Sequence, residues 1–105
     1  MAVEADFISF ASNHQRTVIP AGLLIVQPDV AKLIVRDALD VRPYLLRHLV
    51  DDWGELSEKE LRDNAHVILH GGEIFSSYAV SESLTLWIMS EWDRRVTTLA
   101  LPPAR

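Results

Sequence analysis

Residues 70–103 read HGGEIFSSYAVSESLTLWIMSEWDRRVTTLALPP. Hydrophobicity alternates through this stretch with a period of two, the mark of strands that bury one face. Ile74, Ser76, Tyr78 and Val80 share a face of the first run. Leu84, Leu86 and Ile88 share a face of the second, with Trp87 and Met89 opposite, and Val96 to Leu101 supplies a third run. Ser81-Glu82-Ser83 and Trp92 to Arg95 separate the runs as turns. Pro102-Pro103 stops the last strand, because proline has no N–H to give to a ladder. The reading is a three-stranded antiparallel β-meander over 73–102.

Upstream the period changes to that of helices. Ser57 and Glu60 have the spacing of a capping box, in which each side chain satisfies the other's free backbone N–H. Leu56 and Leu61 sit where a hydrophobic staple would place them, and Gly71-Gly72 can end the helix by adopting positive φ. Leu61, Ala65, Ile68 and Leu69 are expected on its buried face. A preceding helix is capped by Asp40, carries Pro43 in its first turn, and runs through Leu45, Leu46, Leu49, Val50 and Trp53 to a stop at Gly54. A first helix starts at Pro28 and Asp29 and places Val30, Leu33, Ile34 and Ala38 at helical spacing. Thr17 to Val26 is aliphatic but holds Pro20 and Gly22, so it reads as an edge strand or an apolar loop. Residues 1–16 read as a flexible or short helical start. The fold class is α+β: about three helices over 28–71, then the meander, in one domain spanning 1–105.

Composition narrows the function. The chain has 105 residues, no cysteine and a formal charge of −5, with 15 acids against 10 bases. A disulfide framework, a thiolate metal site and a cysteine nucleophile are therefore excluded. The acidic balance argues against gripping phosphates, so direct nucleic-acid binding is not expected. No run approaches the ~20 apolar residues of a membrane span, and the N-terminus lacks the pattern of a signal peptide. A cytoplasmic location is the expectation, with no membrane association and no cofactor.

The tail L-W-I-M-S-E-W-D-R-R-V-T-T-L-A-L-P resembles that of a family of small proteins borne on plasmids and integrative elements of proteobacteria. There the pattern runs as (aliphatic)-W-I-(aliphatic)-T-E-x-D-R-x-x-T-T-(aliphatic)-L-L-P. The resemblance extends back through Asp52-Trp53-Gly54-Glu55-Leu56, Asn64 and Gly71-Gly72, covering about residues 41–103. It implies a genomic setting and carries no activity with it. Members sometimes bear a label linking them to the modification subunit of type I restriction enzymes. This chain has neither the Gly-rich cofactor motif nor the Asn-Pro-Pro-aromatic motif of such a methyltransferase.

Three constellations hold functional-looking side chains. His66 and His70 are spaced i, i+4, as in helical metal sites, but Val67 stands where a zincin has its glutamate; no metal is expected. Asp51, Asp52, Glu55, Glu58, Glu60 and Asp63 form an acidic segment that could face a basic partner or serve only helix-start electrostatics. Glu91-Trp92-Asp93-Arg94-Arg95 is the tightest cluster, on a turn, and rich in the residue types that anchor interfaces. In the resembling family a small residue usually stands in place of Trp92. The structural alternative has Asp93 bonding its own turn and Arg94 paired with Glu91. Thr97-Thr98 needs only β-propensity to explain it, and Trp53 and Trp87 read as core.

The functional reading is a non-enzymatic accessory protein of a mobile element, acting by protein–protein interaction and modulating host defence (anti-restriction or anti-CRISPR). Its partner-binding residues would be Glu91, Trp92, Asp93, Arg94 and Arg95, with Asp51, Asp52 and Glu55. A homodimer is a further partner expectation, because a meander leaves two edges. The alternative is a small metal-independent ribonuclease of barnase-like or RelE-like architecture, with His70, Glu73, Glu91 and Arg94 as its catalytic set. No histidine in the final hairpin, no arginine in the first strand of the meander and the net charge all count against it.

Overall fold

A computed structural model describes residues 18–103; the expectation for residues 1–16 lies outside these. In chain order the elements are β1 (Leu23–Val26), α1 (Pro28–Val35), α2 (Arg42–Leu49), α3 (Glu58–His70), β2 (Ile74–Ser81), β3 (Leu84–Ser90) and β4 (Val96–Ala100). The fold is α+β and the meander is present: β2 pairs antiparallel with β3, and β3 antiparallel with β4. The sheet, however, has four strands in the order β1-β4-β3-β2. The helices do not come first, because β1 precedes them and lies parallel to β4. Two local features make the short strand feasible despite Pro20 and Gly22. Pro20 falls outside it, and Gly22, at φ 65°, lets the chain enter against the carbonyls of Arg94 and Arg95.

The alternation in 74–101 sets the core. Ile74, Ser76 and Tyr78 of β2, Leu86 and Ile88 of β3, and Leu99 of β4 are all fully buried on one sheet face. Val30 of α1 and Leu39 complete a first apolar cluster with Tyr78, Leu86, Ile88 and Leu99. Ile19, Leu49, Trp53 and Ile74 form a second. Trp53 is thus core as expected. Trp87 faces the other way and is half-buried, edge-on to Phe75 with ring centres 5.2 Å apart.

The helix boundaries follow the local chemistry with some corrections. The capping box at Ser57 and Glu60 forms with both bonds in place. Gly71 and Gly72 end α3 at φ 89° and 137°. Asp40 does serve the start of α2, accepting from Arg42 N–H, but one residue outside the cap position, which Val41 occupies. Its carboxylate also takes the Arg42 guanidinium, which holds it down to about pKa 2. The α2 helix stops at Leu49 rather than at Gly54, and Asp51 makes the left-handed turn at φ 61°.

The buried face of α3 also differs from the one expected. Leu61 and Leu69 are exposed, Leu69 at 81%, whereas Asn64 is buried and Val67 and Ile68 pack on the second cluster. The reason is polar. Phe75 lies on the outer edge of β2, and its backbone needs partners. Asn64 supplies both: Phe75 N–H donates to Oδ1 (3.2 Å), and Nδ2 donates to Phe75 C=O (2.7 Å). One buried amide therefore sets the rotation of the helix. Asn64→Ala removes both bonds and is expected to cost about 2 kcal/mol. Urea unfolding followed by tryptophan fluorescence checks this, and a loss below ~0.5 kcal/mol would show that solvent replaces the amide without penalty.

Candidate functional site

The turn between β3 and β4 is built from its own residues. Arg94 takes φ 60°, its N–H donates to Glu91 C=O, and Asp93 Oδ1 accepts from Arg95 N–H. The Arg94 guanidinium reaches out of the turn. Its Nη1 donates to Gly72 C=O at 2.6 Å and to Glu91 C=O at 2.8 Å, tying the hairpin to the corner between α3 and β2. Of the five turn residues expected to bind a partner, two therefore hold the turn itself. Arg94 meets the backbone of Glu91 rather than its carboxylate, while Asp93 bonds its own turn. Trp92 stands out at 72% exposed, beside the exposed Glu91 and Arg95.

The acidic segment is woven into the fold. Asp52 accepts a two-point ion pair from Arg47, at 2.8 and 3.2 Å, and the Arg47 guanidinium lies 4.7 Å from the centre of the Tyr78 ring. The Tyr78 hydroxyl donates to Asp52 C=O, and burial pushes its pKa up. The Glu55 carboxylate accepts from Ala79 N–H at 2.9 Å, on the outer edge of β2. Asp63 pairs with Lys59, and Glu58 lies 3.9 Å from Arg62, along the exposed face of α3.

The catalytic set of the ribonuclease reading converges only in part. Arg94 reaches Gly72, the neighbour of Glu73, but spends that reach on a carbonyl. Among the described residues no hydrogen bond or ion pair joins the side chains of His70, Glu73 and Glu91. The His70 ring instead lies 4.4 Å from that of His66. Among the described residues no three His, Cys, Asp or Glu side chains are grouped to hold a metal.

The most connected polar constellation is one that the sequence reading passed over. His48, on α2, is fully buried. Its Nδ1 meets Ser76 Oγ of β2 and its Nε2 lies 2.8 Å from Ser90 Oγ of β3. Ser90 Oγ is 3.1 Å from Thr97 Oγ1 of β4, and Thr97 donates to Ala21 C=O at 2.6 Å. Thr97 thus has a role beyond β-propensity. Each hydroxyl has one proton, so the direction of the chain is fixed from its end. Thr97 gives its proton to Ala21, Ser90 must give its own to Thr97, and His48 Nε2–H must donate to Ser90. Nδ1 then accepts from Ser76. The imidazole is held neutral in the Nε2–H form. Burial, and secondarily the charge of Arg94, lower its pKa to about 4.

A histidine between two serines has the elements of a base and a nucleophile, but this one has neither access nor an orienting carboxylate. His48, Ser76, Ser90 and Thr97 are all fully buried. The chain instead joins α2, the three strands of the meander and the segment entering β1 through mutually satisfied polar groups. The signal was present in the alternation: Ser76 is in phase with Ile74 and Tyr78, Ser90 with Leu86 and Ile88, and Thr97 with Leu99.

Comparison with protein-family models, with curated proteins and with solved structures yields no match.

Proposed function

We propose that the chain is a non-enzymatic accessory protein of a plasmid or integrative element that acts by binding another protein. Modulation of a host defence system, such as restriction or CRISPR immunity, is the job this reading assigns to it. The observation that carries the binding role is Trp92, 72% exposed on a turn whose backbone Asp93 and Arg94 hold fixed. An exposed tryptophan beside Arg95 on a held turn has the composition of an interface anchor. The resembling family usually has a small residue at this position, so the anchor belongs to this chain and bears on its own partner. The placement of the polar groups favours binding over catalysis. Arg94, Asp93, Asp52 and Glu55 bond within the fold, and the buried histidine is sealed from solvent.

The test is affinity capture of the tagged full-length chain from host lysate at physiological salt, read by mass spectrometry, with Trp92→Ala beside it. A stoichiometric partner is expected, held ~30-fold or more weakly by the variant at unchanged thermal stability. A partner retained equally by Trp92→Ala would move the site off the turn. An empty lane would overturn the binding role and return weight to the ribonuclease, for which RNA cleavage is the assay.

A further inference from the structure

The two edges of the sheet are treated in opposite ways. On β2 the outward backbone groups are met by the chain itself. Asn64 takes both groups of Phe75. Ser77 N–H donates to Trp53 C=O and Ser77 C=O accepts from Glu55 N–H. The Glu55 carboxylate takes Ala79 N–H. On β1 nothing comparable occurs. Leu23 N–H donates to Arg95 C=O and Gln27 N–H to Leu99 C=O, so the odd-numbered residues face β4. By the alternation of a ladder, the N–H and C=O groups of Leu24 and Val26 face outward. They have no partner among the described residues. The side chains are exposed too: Leu23 at 67%, Leu24 and Ile25 at 42%, Val26 at 37%. A four-residue aliphatic edge without a charge, a bulge or an internal proline lacks the features that keep edges apart.

We infer that β1 pairs with β1 of a second copy, antiparallel and about a two-fold axis at Ile25, to join two sheets into one. This rests on the edge alone and not on the role assigned to Trp92. The register is self-complementary. Leu24 of one copy meets Val26 of the other, and each such pair exchanges both hydrogen bonds. Slipping one way by a pair of positions would set Pro28, which has no N–H, opposite Leu24; slipping the other way would set Val26 opposite Gly22, outside the strand and at φ 65°. Charge permits it as well. From Leu23 to Arg36 there is one acid, Asp29, against Lys32 and Arg36, while the acidic 51–63 segment and α3 lie by β2, at the far edge of the sheet. The strand pair alone is small beside the ~800 Å² per partner of a standard interface. The exposed side chains of Leu23, Leu24, Ile25 and Val26 add apolar area to it. A dimer dissociating roughly in the micromolar range is expected.

Sedimentation equilibrium of the full chain over a wide concentration range tests the pairing. The expected result is twice the 11.9 kDa chain mass at high concentration, falling to one chain mass on dilution. Val26→Pro deletes an outward N–H without touching the bonds to β4, and Leu24→Lys puts a charge on the edge. Each is expected to leave a monomer with an unchanged circular dichroism spectrum. Amide exchange gives a reading that needs no variant: Leu24 and Val26 should be protected when concentrated and lose that protection on dilution. A wild-type monomer at ~1 mM, well above the expected dissociation range, would overturn the inference. So would a dimer that keeps Leu24 and Val26 unprotected. Protection at monomer mass would overturn it by assigning the edge to residues 1–17 of the same chain.

Discussion

Gly54→Ala is expected to be among the most damaging single-methyl changes in the chain, lowering stability by about 3–5 kcal/mol. Two costs coincide there. Gly54 sits at φ 76°, where a side chain is strained. Its place is also filled: a methyl group would overlap the carbonyl oxygen of Ser77 and come within 2.6 Å of the Tyr78 ring. Neither neighbour can yield cheaply. Ser77 C=O accepts from Glu55 N–H at 2.7 Å, and Tyr78 is fully buried, with its hydroxyl on Asp52 C=O at 2.7 Å. To admit the methyl, residues 52–55 must move off β2, and the bonds that close this edge go with them. Gly71→Ala separates the two costs. Gly71 has φ 89° and ψ 154° but nothing within 4 Å of an added methyl, so only backbone strain remains, about 1–3 kcal/mol. Urea unfolding of both variants measures the difference. Equal losses would show that the contact with Ser77 and Tyr78 relaxes freely and that the close approach is not a constraint.

The same region explains how far the sequence could be read. Local signals were legible where one stretch of chain contains both partners. The capping box at Ser57 and Glu60, the glycine stop at 71–72 and the alternation of β2 to β4 are of this kind. Gly54 reads as a helix stop because a glycine after an apolar helical run normally is one. Its actual neighbour, β2, lies more than twenty residues on, and no spacing rule reaches that far. For β1, parallel pairing joins Leu23 to Val96, across almost the whole chain, and parallel order leaves no hairpin signature. On α3, apolar periodicity points to Leu61 and Leu69, but the helix instead turns Asn64 inward, where its amide meets both backbone groups of Phe75, and leaves the two leucines exposed. Trp53, Gly54, Glu55 and Asn64 close the β2 edge, and Asp93 and Arg94 fix the turn. The buried histidine chain was hidden differently. Its members were visible one by one at inward positions, but only the folded sheet sets Ser76, Ser90 and Thr97 around one ring.

That ring makes stability sensitive to mild acid. Unfolded, His48 titrates near 6.5; folded, near 4. Between these values the unfolded chain binds the proton and the folded chain does not, so stability rises with pH across the window. The contribution is fully present above about pH 6.5 and is lost as pH falls toward 4. At about 1.4 kcal/mol per pH unit the loss approaches 3 kcal/mol, a large share of what a domain this size has. The geometry supports the sign. A protonated imidazole would turn Nδ1 from acceptor to donor, so the Ser76 hydroxyl would have to turn its own O–H away and accept instead, inside a sealed core near Arg94. Asp40 does not blur the window: the Arg42 guanidinium lowers its carboxylate from 3.8 to about 2, so its contribution to stability is lost only as pH falls below about 4. Urea unfolding from pH 7.5 to 4.5 should show the decline, and His48→Gln should be less stable at neutral pH yet flatter across the same range. Nitrogen chemical shifts give an independent reading: at pH 6 the folded ring should still be neutral, with its proton on Nε2. A wild-type stability as flat as that of His48→Gln, or a doubly protonated His48 at pH 6, would refute the one-way chain from Ser76 to Ala21.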